Sequence, residues 1–139
     1  MIREENFETM SYKVTGDSCL DLTKEMKQNP HFQMVPLTLQ VDDHMIMDDE
    51  TFDQKAFLAM VKASPNCPKT ACPSPEAFKK ACECDADDIY IITLSSHLSG
   101  NYNRAVLGKE LYEEEHGKGK KNILVIDSES ASAGELNEA

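Results

Sequence analysis

The chain has 139 residues, with 14 Lys+Arg against 25 Asp+Glu and a formal charge of −11. That is the size of one domain, and its acidity opposes both the counterion release that drives nucleic-acid binding and attraction to anionic membranes. Hydrophobic residues make up 40%, enough for a packed core, while the absence of Trp and 6% aromatics leave no stacking platform for bases.

In chain order, Met10-Ser11-Tyr12-Lys13-Val14-Thr15-Gly16 reads as a weak strand ending at Asp17-Ser18, and Leu20 to Asn29 as a short helix. Phe32 to Val41 is a better strand, although Pro36 cannot donate a ladder bond and implies an edge or a bulge. The acidic stretch from Asp42 to Asp53 reads as a solvated loop rather than a calcium site. Thr51 with Gln54 forms a capping box, opening a helix with Phe57, Met60 and Val61 on one face. Pro65, Pro68, Pro73 and Pro75 leave Lys69 to Cys72 extended or turning, and Ser74 caps a helix that begins at Pro75 and runs to about Cys82.

Asp88 to Leu94 is a nearly continuous β-branched run, the pattern of a strand covered on both faces. From Ser99-Gly100 to His116 a helix places Tyr102, Ala105, Val106, Lys109 and Tyr112 on one face, and Gly117 closes it. Asn122 to Ile126 is a further buried strand ending at Asp127-Ser128, and Ser130 to Ala139 reads as the first turns of another helix. The alternation predicts an α/β domain: a parallel sheet with helices on both faces, apparently truncated after its last strand.

No apolar run approaches the roughly 18 residues of a membrane span. Met1-Ile2-Arg3-Glu4-Glu5 is too acidic to open a signal peptide, so the expected location is cytoplasmic. Cys19, Cys67, Cys72, Cys82 and Cys84 are odd in number and irregularly spaced, which predicts free thiols and no metal site.

Ligands of an open parallel sheet bind outside the carboxyl ends of its strands. Those ends carry Asp17 and Ser18, Ser95 and Ser96, then Asp127 and Ser128, and Thr70 enters the same layer from its loop. Ser95-Ser96-His97-Leu98-Ser99-Gly100 is the most informative element, because it joins a buried strand to a helix N-terminus whose free N–H groups attract a carboxylate or phosphate. Taken alone, the same residues favour a plainer reading in which the serines cap helices. His97 could act as base to a serine in an enzyme working on a small phosphorylated or carboxylated substrate, and a purely structural or regulatory domain is a third reading. No G-x-S-x-G, P-loop, G-x-G-x-x-G or H-E-x-x-H motif is present, so no catalytic residue is assigned and no cofactor is expected.

Five segments taken together resemble the DegV family of bacterial fatty-acid-binding proteins. They are Gly16-Asp17-Ser18-Cys19-Leu20-Asp21-Leu22, Val35-Pro36-Leu37-Thr38, Thr70-Ala71-Cys72-Pro73-Ser74-Pro75-Glu76-Ala77-Phe78, Leu94-Ser95-Ser96-His97-Leu98-Ser99-Gly100-Asn101-Tyr102 and Val125-Ile126-Asp127-Ser128. The resemblance implies a non-catalytic protein that holds one long-chain fatty acid and presents its carboxylate to a fatty acid kinase catalytic subunit for phosphorylation. It implies head-group contacts from Thr70 and from Ser95 or Ser96, with Ser95 favoured. Ser99, Gly100, Asp17 and Ser18 complete the expected ligand-binding set. The sequence departs from the family pattern at Cys19, Leu20, Ala71 and Asn101. Family members carry a second, C-terminal domain, so residues 1–139 are expected to form the head-group half of the site and to bind fatty acid weakly or not at all alone.

Overall fold

A computed structural model describes residues 11–137. The expected beginning of the first strand at Met10, the opening Met1–Glu5 segment and the final Glu138-Ala139 lie outside the described residues.

Four strands form a parallel sheet in the order β2-β1-β6-β7: β1 (Tyr12–Asp17), β2 (Phe32–Val35), β6 (Asp88–Thr93) and β7 (Asn122–Asp127). Three shorter strands, β3 (Thr38–Val41), β4 (His44–Met47) and β5 (Lys69–Ala71), form a separate antiparallel sheet in the order β4-β3-β5. The helices are α1 (Lys24–Gln28), α2 (Gln54–Ala63), α3 (Pro75–Cys82), α4 (Asn101–His116) and α5 (Ala133–Leu136).

The step from β1 to β2 runs one way across the parallel sheet and the step from β6 to β7 the other way. Right-handed crossovers therefore put α1 and α4 on opposite faces. The α4 face is the main core, where Ile89, Ile91, Ile123 and Val35 meet Phe78, Ala81 and Cys82 of α3 and Ala105 and Tyr112 of α4. Full burial of each large side chain there contributes about 1.5–3 kcal/mol. On the opposite face α1 buries none of its five residues, and Tyr12, Tyr90 and Leu124 are exposed among the described residues.

The helices α3 and α4 approach so closely that a Cβ on Gly108 would stand 2.6 Å from the Phe78 Cβ and 2.7 Å from the Pro75 carbonyl oxygen. The face of α4 turned to the core is Asn101, Ala105, Gly108 and Tyr112; Ala105 and Tyr112 are as expected, while Asn101 and Gly108 replace Tyr102, Val106 and Lys109, because a glycine at the crossing carries no apolar side chain to signal contact.

Local chemistry explains the other departures. The expected strand Phe32 to Val41 is two strands in two sheets: Pro36 has no N–H to continue the ladder, and the next N–H, of Leu37, donates to Ser18 Oγ at 3.0 Å. The acidic stretch is not all loop. Asp42, at φ 51, turns the chain into β4, and its carboxylate accepts from Ser64 Oγ and Asn66 Nδ2 at 2.9 and 2.8 Å. Asp53 rather than Thr51 caps α2, accepting from Ala56 N at 3.1 Å, while Thr51 Oγ1 donates to Asp49 at 2.5 Å. The helix expected over Leu20 to Asn29 starts only at Lys24, after the Thr23 cap. Lys69-Thr70-Ala71 is a strand, paired antiparallel with β3 so that Thr70 faces Leu39. Ser74 and Pro75 open α3 as expected, Ser74 Oγ accepting from Ala77 N at 3.2 Å.

Candidate functional site

The crossovers diverge between β1 and β6, the place outside the carboxyl ends of neighbouring strands where open parallel sheets bind their ligands. Asp17-Ser18 leaves β1 on one side of it, and Leu94-Ser95-Ser96 leaves β6 on the other.

Ser95 is 4% exposed. Its N–H donates to Ser130 O at 2.9 Å, its carbonyl accepts from Leu98 N and Ser99 N, and its hydroxyl oxygen accepts from His97 N at 3.3 Å. Among the described residues nothing accepts the hydroxyl proton. Ser96 is exposed, and its N–H donates to Asp127 Oδ1 at 3.1 Å. Hydrogen bonds from Ser96 and Glu129 hold the Asp127 carboxyl below the usual carboxylate range. Ser99 Oγ accepts from Asn101 N at 3.3 Å and lies 3.5 Å from Cys72 Sγ. Gly100, the N-cap of α4, offers no side-chain acceptor, so beyond Asn101 N, which Ser99 Oγ holds, the N–H groups of the first turn have no side-chain cap among the described residues. A Cβ on Gly100 would stand 3.4 Å from the same Cys72 Sγ, which brings the end of β5 against this corner. Thr70 is exposed on β5, two residues before Cys72, and among the described residues its hydroxyl makes no hydrogen bond.

Two expected site residues are committed within the fold. Ser18 Oγ holds Leu37 N. Asp17 is 0% exposed; its Oδ2 accepts from Leu94 N at 2.7 Å and Asn101 Nδ2 at 2.8 Å, and its Oδ1 from Cys19 N at 3.1 Å.

Asn101, which the sequence marked only as a departure from the family pattern, and Glu135, which it did not mark, are fully buried. Asn101 Oδ1 and both Glu135 oxygens have no hydrogen-bond partner among the described residues. Burial, and after it the neighbouring Asp17 carboxyl, push Glu135 up to about 9, so it is neutral at pH 7. Burial and then the Asp17 charge likewise raise the Cys19 thiol to about 11. Asn101 had a faint signal, as the first residue after Ser99-Gly100; nothing in the sequence marks Glu135.

The loop after β7 seals this end of the sheet. Ser130 O takes the Ser95 N–H, Ser132 forms an isolated parallel bridge with Leu20, and Glu129 and Ser132 both adopt left-handed backbone, at φ 50 and 51. Beside it, at the ends of β1 and β2, lies an open cleft of about 850 Å³. Leu20, Leu22, Phe32, Met34 and Phe52 give it an apolar wall, and Asp21, Asp48, Asp49 and Glu50 an acidic rim. Of the expected site residues only Ser18 lines it.

The ring of His97 makes no hydrogen bond among the described residues; its link to Ser95 runs through the backbone. Among the described residues the one cluster with metal-ligand spacing is Glu83, Glu115 and His116, all exposed, with Lys79 already bridging Glu83 and Glu115. No described helix is long and apolar enough to cross a membrane.

Comparison with known proteins completes the description. A family model, "Uncharacterised protein, DegV family", matches residues 11–136. A DegV domain-containing protein of Streptococcus gordonii is 37% identical over 130 residues, covering 92% of this chain and 45% of its own length. The chain therefore spans under half the length of such relatives. Among solved structures, a DegV family protein from Ruminococcus gnavus with vaccenic acid has a TM-score of 0.87 at 49% identity, covering 92% of this chain and 45% of its own. The Streptococcus pneumoniae Fatty Acid Kinase (Fak) B3 protein loaded with linoleic acid has a TM-score of 0.78 at 36% identity, covering 88% and 43%. A stearic acid-binding protein from Eubacterium ventriosum has a TM-score of 0.78 at 27% identity, covering 91% and 44%.

Proposed function

The chain belongs to the DegV family, and from that premise we propose that it supplies the head-group half of a long-chain fatty acid site. The reading rests on one observation above the others: relatives sharing this fold at 27–49% identity were solved with, or are described as binding, fatty acids.

In this reading Ser95 donates its free hydroxyl proton to the ligand carboxylate, and Thr70 approaches from β5. Ser96, Ser99 and Gly100 shape the corner, and the uncapped N-terminus of α4 adds a favourable dipole. Each hydrogen bond to the charged head contributes about 1.5–3 kcal/mol. An acyl chain of about sixteen carbons, at about 0.8 kcal/mol per buried methylene, contributes on the order of 10 kcal/mol before ordering costs. The tail sets affinity and the hydroxyls set orientation. The apolar wall of Leu20, Leu22, Phe32, Met34 and Phe52 is the described surface suited to an alkyl chain. Net charge does not oppose this, because donors at a helix terminus act locally while the remainder is screened over about 8 Å. The wider role is presentation of the bound carboxylate to a fatty acid kinase catalytic subunit in the cytoplasm, with no chemistry performed by this chain.

The test is mass spectrometry of acyl species co-purifying with the full-length protein, followed by oleate titration of that protein as wild type and as Thr70→Ala combined with Ser95→Ala. Loss of two charge-assisted hydrogen bonds weakens binding at least about tenfold. Absence of any bound or titratable acyl species, or equal affinity in the double variant, refutes the reading. For the kinase role, phosphoryl transfer from ATP to oleate by a fatty acid kinase catalytic subunit should require the chain.

A further inference from the structure

Asp17 is the least accessible of the expected ligand residues, and its contacts describe a different task. Its Oδ2 receives two donors: the N–H of Leu94, immediately before Ser95, at 2.7 Å, and Nδ2 of Asn101, the first residue of α4, at 2.8 Å. Those two residues bracket the loop that carries Ser95, Ser96, Ser99 and Gly100. Its Oδ1 takes Cys19 N at 3.1 Å, which closes the turn after β1. One carboxyl group thus fixes both ends of the loop against the neighbouring strand.

We propose that Asp17 is the positioning residue of the head-group site: by holding Leu94 N and Asn101 Nδ2 it sets where the Ser95 hydroxyl and the opening turn of α4 stand relative to a bound carboxylate. This rests on the fatty acid reading above. Three further facts support it. Asp17 is fully buried, so it does not reach a ligand outside the strand ends. Among the described residues the loop has few other ties, namely Ser95 N to Ser130 O, Ser96 N to Asp127, Ser99 Oγ with Cys72 Sγ, and Ser128 N to Thr93 O at its base. The group packed against Asp17 is the buried Glu135, which burial keeps protonated, so the pair avoids like-charge repulsion.

Hydrogen bonds to a charged acceptor are strong and directional, and a displacement of about 1 Å at a binding hydroxyl is enough to lose its contact. Asp17→Asn keeps shape and volume but removes the charge and leaves one acceptor oxygen for three donors, so either Cys19 N or the Leu94–Asn101 pair goes unheld and the bonds that remain are weaker.

The test has two parts, both on the full-length protein that carries the complete site. Amide hydrogen exchange reads the loop without ligand: Asp17→Asn should speed exchange at Leu94 and through residues 95–101 at least about tenfold while β7 and α3 stay protected. Affinity for oleate against methyl oleate then reads the head group. Wild type should prefer the acid, and Asp17→Asn should erode that preference at least about tenfold while methyl oleate binds as before. A merely structural defect weakens both ligands alike and leaves the ratio intact. Should Asp17→Asn fail to fold, Asn101→Ala, which removes one donor and leaves Leu94 tied, should move both readouts in the same direction by a smaller factor. Unchanged Leu94 exchange overturns the loop assignment, and a retained acid preference despite faster exchange overturns the head-group role. A wild type indifferent to acid and ester instead removes the fatty acid reading itself, a failure visible before any variant is made.

Discussion

Replacing Gly108 with Ala sets two effects of opposite sign against each other. In an exposed helix interior the change stabilises by about 1 kcal/mol, through lower backbone entropy in the unfolded chain. Here the new Cβ meets the Phe78 Cβ at 2.6 Å, the Pro75 carbonyl oxygen at 2.7 Å and Lys79 N at 3.0 Å. Against an optimal carbon–carbon separation of about 3.5–4.0 Å, the first contact is short by about 0.9 Å or more. None of the obstructing atoms is a flexible tip, and Phe78 is fully buried, so relief requires α3 and α4 to move apart across the core. Overpacking of this kind costs about 1–3 kcal/mol, and with backbone atoms in the way the upper end applies. The net expectation is a loss of about 1–2 kcal/mol, and more for Gly108→Val. Urea denaturation followed by circular dichroism should place the Gly108→Ala midpoint below wild type by about 0.5–1 M at unchanged slope. Asn103→Ala, exposed on the same helix, serves as the control and should raise the midpoint slightly. A Gly108→Ala midpoint equal to or above wild type would refute the close-approach account of the α3–α4 crossing.

Two further expectations concern buried polar groups. Glu135 holds its proton to about 9 in the folded chain and to about 4.5 when unfolded, so between these values the unfolded state binds fewer protons and stability falls as pH rises. The slope is at most about 1.4 kcal/mol per pH unit. Glu135→Gln should flatten it across that window in denaturation midpoints taken at pH 5, 7 and 9, and an unchanged pH profile would remove the buried neutral carboxyl from the picture. Ser18→Ala should cost about 1–3 kcal/mol, because the N–H of the buried Leu37 loses its acceptor at the corner between β2 and β3. A midpoint within error of wild type would show that this N–H finds another partner.

The strands β6 and β7 were legible because their apolar runs are continuous and their ends are punctuated by Ser-Ser and Asp-Ser, while β1 showed only weakly, ahead of its own Asp-Ser. The helix starts at Ser74-Pro75 and the stop at Gly117 were legible for a related reason, since each rests on local backbone chemistry that one or two residues determine. What failed to show was division by partner. Phe32 to Val41 has one hydrophobic pattern but serves two sheets, and only the missing N–H of Pro36 with the distant Ser18 hydroxyl separates them. The small strands β4 and β5 hide for the same reason: their residues are polar or exposed, and pairing with β3 alone defines them. At the site, the hydroxyls were visible as residue types at strand ends. Their hierarchy was not, because both oxygens accept a backbone N–H, Ser95 from His97 in its own turn and Ser18 from Leu37, nineteen residues on, and only the second ties two separate segments. The roles of Asn101 and Glu135 depend on burial against Asp17, and no periodicity encodes that.

The hydrogen bonds at the carboxyl end of the sheet join three of its four loops into a ring. The turn after β1 meets the loop after β7 through the Leu20–Ser132 bridge, the loop after β6 meets it through Ser95 N and Ser130 O, and Asp17 joins the first to the second. Such a ring has no independent member. A molecule that displaces one loop strains the other two, so occupancy should rigidify all three together, and substitutions on different loops should show coupling energies rather than simple sums. Selectivity for a ligand at this end of the sheet then resides in the ring as a whole, and residues far apart in sequence share in it without touching what is bound.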